Sequence, residues 1–188
     1  MKNLKTVAIA FVAVLSSFAT TAQTKKINTS ASTIEWVGKK VTGQHSGTMK
    51  FKDGALTFKG GKLTGGSFTV DMTSVNVTDL EGEYKGKLEG HLKAEDFFGT
   101  DKYKTSTLVF KSVKEKSAGI YAVTADLTIK NITKPVTFDL TVGKDFATTN
   151  FNIDRTKYGI EYNSGSIFDG LGDKVIYDEF ELAVTLKF

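Results

Sequence analysis

Chemistry at a protein site needs a nucleophile, a base or a set of metal ligands, and this chain is thinly supplied with all of them. Its 188 residues contain 0 cysteines and 2 histidines, His45 and His91. That leaves no cluster with zinc spacing and no histidine pair at metalloprotease spacing. No serine stands in a nucleophile-elbow context. The residue types therefore name no catalytic residue, no metal site and no cofactor. His45, in the glycine-flanked GQHSG, is placed to hydrogen-bond local backbone. His91, in GHLKAEDFF, has Lys93 and the paired Phe97 and Phe98 beside it, which suits either a rim position next to a polar headgroup or a cap within a short helix. Arg155 is the sole arginine among 25 basic residues. Its guanidinium could present a bidentate fork to a phosphate or carboxylate, or form a structural ion pair with Asp154 or Asp178. Asp178 falls on the apolar side of its strand and needs a partner if it is buried.

The elements that must position these residues read as β-structure. In ADLTIKNITKPVTFDLTV, residues 125–142, Ala125, Leu127 and Ile129 alternate with polar residues, and after a short break Val136, Phe138, Leu140 and Val142 do the same. Two strands with one apolar face each follow from that period, joined as an antiparallel hairpin. Pro135, which lacks an amide donor, suits the first residue of the second strand. Earlier in the chain, TIEWVGKK is a short strand carrying Trp36, and Asp53-Gly54 and Gly60-Gly61 read as two-residue turns in a meander. KLTGGSFTVDM is a longer strand that the pair Gly65-Gly66 lets bend. Residues 104–113, 119–129, 144–153 and 175–188 supply further strands. Residues 78–98 show no strand period and admit a helical turn or two, interrupted by Gly86 and Gly90.

About eight to nine short strands with close turn signals predict an all-β domain, either a sandwich or a barrel. Some 14 phenylalanines, many at alternating strand positions, give a large apolar interior. In a sandwich they fill a core. In a barrel of about eight strands they line a tube able to hold one small ligand.

The N-terminus places Lys2 and Lys5 before an apolar run, Val7 to Leu15, and small residues ending at Ala22, which is the layout of a secretory signal peptide. Residues 1–22 are expected to be cleaved, leaving one domain over 23–188, periplasmic or secreted. The run is too short to make a good membrane span, so stable membrane insertion is not expected. An exported chain without cysteine has no disulfides and must rely on its core. Its lysines are scattered among acids and the formal net charge is only +4, a pattern that argues against a nucleic-acid partner.

Five stretches resemble the YceI-like family, the lipocalin-like polyisoprenoid-binding proteins exported by many bacteria. They are WVGKKVTGQHSG (36–47), GGSFTVDMTSV (65–75), GHLKAEDFF (90–98), LTIKNITKPVTFDL (127–140) and IDRTKYGI (153–160). They occur in family order and cover nearly all of the expected mature chain. The resemblance implies a lipocalin-like antiparallel eight-stranded β-barrel with a short helical segment, holding an isoprenoid chain in its lumen without converting it. One departure is visible: after DFF the family commonly has an acid and a Tyr-Pro pair, where this chain has Gly99 and then Tyr103-Lys104.

On this reading the protein is not an enzyme, and its partner is an isoprenoid or quinone-type lipid bound for transport, storage or sequestration. The tube is expected to be lined by Trp36, Phe68, Val70, Leu108, Phe110, Leu127, Ile129, Phe138, Leu140, Phe151, Ile153, Phe180 and Leu182. His91, Lys93, Phe97, Phe98 and Arg155 are expected at its entrance or beside the headgroup. The competing reading is a solid-core envelope module without a lipid. The chain is expected as a monomer or, through an exposed strand edge, a homodimer.

Overall fold

The computed structural model describes residues 21–188. The expected signal peptide therefore lies outside the described residues, apart from Thr21 and Ala22. Alternating apolar positions fold, as the period demands, into antiparallel strands: β1 (Ala22–Lys26), β2 (Thr33–Lys40), β3 (Gly43–Lys59), β4 (Lys62–Val77), β5 (Thr105–Ser117), β6 (Ile120–Ile129), β7 (Ile132–Val142), β8 (Phe146–Asp154) and β9 (Ile176–Lys187). Each strand from β2 to β9 pairs with the next, and β9 returns to β2, so eight strands close into a barrel. The ninth, β1, lies along the far half of β3, from Ala22 opposite Lys59 to Lys26 opposite Ala55. It occupies the side of β3 that β2 covers further along.

Local sequence explains the connections. The β6–β7 hairpin turns on Lys130 and Asn131, both at positive φ (49° and 61°), the geometry that matches the right-handed twist of the flanking strands. Pairing starts immediately, with Ile129 opposite Ile132. Pro135 is therefore not the first residue of its strand, as the sequence suggested, but lies opposite Asp126 inside it. Counting from the hairpin, that pair is a non-hydrogen-bonded one, so the missing amide would have pointed away from β6 and breaks no bond of that ladder.

Asp53-Gly54 is likewise not a turn. β3 runs unbroken through it, with a register slip between Phe51 and Asp53 against β4. The glycine is required by packing: a Cβ at Gly54 would stand 2.5 Å from the Phe68 ring.

The helical segment, α1 (Gly82–Lys93), joins β4 to β5 and runs 12 residues. The expected interruption at Gly86 and Gly90 does not occur. Glu83 and Lys87, 2.6 Å apart, brace the exposed face, a pair worth about 0.3–0.5 kcal/mol. Lys85 and Glu89, 3.7 Å apart and half-buried, tie the helix to β4 through Asn76 and the Val77 amide. Leu92 buries the other face. Tertiary contact thus overrides a weak propensity. A Cβ at Gly86 meets nothing within 4 Å, so Gly86→Ala is expected to stabilise the protein by about 0.5–1 kcal/mol. A urea midpoint that fell instead would show that the helix needs the glycine's freedom.

After α1 the chain turns at Gly99 (φ 57°), against the Tyr103 ring. Met72 then donates its amide to the Lys104 carbonyl (3.0 Å), which leads into β5. Tyr103-Lys104 makes this connection where the family commonly has Tyr-Pro.

Two clusters of buried side chains pack inside the barrel. One contains Leu56, Phe58, Leu63, Tyr121, Val123 and Leu140. The other lies beneath α1 and contains Trp36, Val77, Leu92, Phe97, Phe98, Ile153 and Ile160. Met49, Val70, Leu108, Phe151 and Leu182 pack against both and remain only partly buried.

Candidate functional site

Between the two clusters the interior is hollow. The centre of a water-sized sphere can move through about 90 Å³ there, against the ~10–15 Å³ that one water needs on this measure. Water would find few partners. The lining is Phe, Leu, Ile, Val and Met from β2 to β9 together with Phe98, and its polar members are Ser106, Thr107 and Thr149. Two of these are already engaged: Ser106 donates its hydroxyl to the Thr128 carbonyl (2.8 Å) and Thr149 to the Asp139 carbonyl (2.7 Å). A space of this kind favours apolar occupants over water.

The period-2 reading placed Phe68, Val70, Leu108, Phe110, Leu127, Ile129, Phe138, Leu140, Phe151, Ile153, Phe180 and Leu182 on this wall, and all of them line the cavity. Trp36 does not. It lines a second cavity of about 50 Å³ with Gly38, Val75, Leu92 and Phe97, because its ring is drawn over Gly47, where a Cβ would approach it to 2.4 Å. Met49, Phe98 and Phe180 line both cavities, so the two adjoin. Sequence reasoning missed Ile34, Met49, Phe51, Met72, Ser106, Thr107, Thr149, Val184 and Leu186 on the larger wall. Most continue the parity of an expected strand, and Met49 and Phe51 were obscured by the supposed turn at Asp53-Gly54.

The polar groups expected at the entrance sit elsewhere. His91 and Lys93 line neither cavity. The His91 ring packs edge-on against Tyr162 (centroids 4.5 Å apart) and Phe97 (5.4 Å), pinning α1 to the β8–β9 connection. Phe97 lines the smaller cavity, beneath the helix.

Arg155 takes the structural role that its ion-pair alternative described and lines neither cavity. It is only 2% exposed and its donors serve main-chain carbonyls: Nε to Tyr177 (3.2 Å), Nη1 to Ile160 (2.8 Å) and Nη2 to Ile176 (2.9 Å). Asp178 Oδ1 stands 3.6 Å from Nη2, and Ser166 donates to the other carboxylate oxygen. Burial pulls the guanidinium down from its ordinary value, against the opposing pull of Asp178 and Asp154. Its role in this structure is to tie the β8–β9 connection to the start of β9.

His45 is also placed differently from expectation. Its Nδ1 meets the Asp79 carboxylate at 2.9 Å rather than local backbone, and the other Asp79 oxygen accepts from the Ser46 amide. Among the described residues no three His, Cys, Asp or Glu gather where they could hold a metal ion, and no helix is long and apolar enough to cross a membrane.

At the end of β8, burial pushes the Asp154 carboxyl up. The Thr156 hydroxyl and amide, helped by Lys157, outweigh it and hold the group below its ordinary value. A carboxyl lowered on folding contributes stability above its unfolded pKa and loses it as pH falls through the folded one. Asp154→Asn is therefore expected to lower the melting temperature at neutral pH and to converge with the parent below about pH 4. Parallel melting curves at every pH would remove Asp154 from the acid response.

A closed antiparallel barrel around an apolar lumen is the lipocalin-like class of architecture. Within that class, the model of the YceI-like domain matches residues 26–188, and the chain belongs to the YceI-like family. Protein YceI of Shigella flexneri is 36% identical over 95 residues, 50% of this chain and 46% of that one. A UPF0312 protein of Shewanella denitrificans is 32% identical over 93 residues, 49% of this chain and 47% of the relative. The chain thus spans about half the length of the curated relatives it matches. Among solved structures, Burkholderia cenocepacia BcnA superposes with a TM-score of 0.70 at 22% identity, covering 85% of this chain and 98% of that one. A polyisoprenoid binding domain from Saccharophagus degradans superposes at 0.59 with 14% identity, covering 86% and 97%. At these identities the likeness establishes the fold.

Proposed function

We propose that this protein binds a long isoprenoid or similar apolar lipid in the barrel lumen and carries, stores or sequesters it without chemical conversion. The observation that supports this reading best is the apolar cavity at the barrel's centre, since a solid-core module would have packed that space. A few isoprenoid units, at about 0.8 kcal/mol per buried methylene-sized group, supply enough free energy for micromolar binding after association costs. Affinity then comes from the wall, and the buried Arg155 contributes no headgroup clamp. The description of a similar barrel as polyisoprenoid binding agrees with this cargo. The N-terminal leader pattern supports action in the periplasm or outside the cell.

The test is organic extraction of protein purified from its native host, followed by mass spectrometry. A long prenyl lipid is expected in stoichiometric amount. Repeated recovery of lipid-free protein that also fails to take up an apolar probe would overturn the reading.

A further inference from the structure

The barrel wall is laddered least between β7 and β8; the next shortest ladder, β4 with β5, has five rungs, from Asp71 opposite Thr105 to Ser67 opposite Val109. β8 pairs with β9 from Phe146 to Asp154, and β7 pairs with β6 from Thr141 to Ile132. Between β7 and β8, registered pairing is confined to Thr141 with Thr148 and Val142 with Ala147. Beyond that rung the two strands run on without a ladder. At the far end the split is bounded by the turn after β8, where a Cβ at Gly159 would lie 3.6 Å from Ile132.

What spans the split is side chain, not backbone. Continuing the register brings Phe138 opposite Phe151, and their rings stack with centroids 4.7 Å apart and planes 19° apart. Both rings line the large cavity. The bond from Thr149 Oγ1 to the Asp139 carbonyl stands in for a missing ladder bond. Pro135 has no amide with which to extend the ladder.

We infer that this split is the portal through which an apolar chain enters and leaves the lumen, with the Phe138–Phe151 stack as its bar. The inference rests on the lipid-binding reading above. It follows from comparing the routes. Parting any other pair of wall strands breaks five or more registered rungs, and the unladdered stretch of β4 and β5 beyond Ser67 lies at the end that Leu63 helps to fill. The α1 end is plugged by Leu92, Phe97 and Phe98, and its lid segment is tied by Lys130 Nζ to the Glu95 carbonyl (2.9 Å). The opposite end is filled by Leu56, Phe58, Leu63 and Tyr121, all under a tenth exposed. At the split, rotation of two aromatic side chains and loss of one hydroxyl bond clear the way.

The absence of native cysteine makes the test clean. Thr137→Cys and Asn152→Cys, outward positions flanking the split, are joined with a bifunctional maleimide, and the same double variant before joining is the control. Uptake of diphenylhexatriene, and its release to excess lipid vesicles, are followed by stopped-flow fluorescence. Joining is expected to slow both by roughly tenfold or more, with the equilibrium affinity unchanged. A second joined pair, Glu95→Cys with Lys130→Cys, fastens the α1 lid and is expected to leave both rates as they were. Unchanged rates with the split fastened, or slowing only with the lid fastened, would overturn the portal and leave lipid binding intact. Failure of the unjoined protein to take up the probe at all would overturn both.

Discussion

Arg155→Met is expected to cost about 3–5 kcal/mol of folding stability, the loss that follows when one member of a buried charged network is removed. The substitution keeps much of the side chain's length and takes away every donor. The carbonyls of Ile160, Ile176 and Tyr177 lose their partner together, and Asp178 loses its counter-charge. Arg155→Lys should recover only part of the loss, because one ammonium cannot reproduce the spread of the guanidinium donors. Urea denaturation read by circular dichroism measures both. A headgroup-binding arginine would behave oppositely, weakening ligand binding while leaving the midpoint nearly in place, so the experiment separates the two roles.

Leu108→Trp is expected to reduce binding of an apolar probe by roughly a hundredfold while the barrel stays folded. Leu108 projects from β5 into the large cavity, and an indole there would take up space that a hydrocarbon would otherwise fill. Displacing three or four methylene-sized groups removes about 2.5–3 kcal/mol, which is the hundredfold. In a filled core the same change would cost about 1–3 kcal/mol through overpacking. Here the hollow absorbs the ring, so the melting temperature should move little. Fluorescence titration with diphenylhexatriene and a thermal melt give the two readings. Unchanged titration would place the probe outside the lumen, and a large loss of stability would mean that the interior is tighter than its volume suggests.

How far the sequence could be read depended on whether a residue answers to its neighbours along the strand or to distant ones. Leu127, Ile129, Phe138 and Leu140 could be placed on the wall because side chains alternate with period 2 in any strand. The same rule reaches Ser106 and Thr149 by parity, though their polarity hid them. Gly54 misled because a glycine after aspartate signals a turn locally, whereas its cause here is the Phe68 ring on the neighbouring strand. Gly86 misled in the opposite sense, since burial of Leu92 and the braced outer face keep α1 continuous. Arg155 was singled out correctly as unusual, but which oxygens it meets depends on how the β8–β9 connection folds back, and local pattern carries no record of that. The split between β7 and β8 was invisible because both strands have ordinary alternation. Only Pro135 hinted that a ladder stops nearby.

That proline also bears on how these molecules behave when crowded. The part of β7 facing the split, Ile132 to Leu140, has backbone groups with no registered strand in β8 to meet them. An unsaturated edge of this kind is a template on which a second chain can align and from which aggregates can grow. Pro135 interrupts the template at its middle, and the charge on Lys134 beside it repels a like edge. A barrel that leaves its wall unlaced can in this way stay dispersed at high concentration.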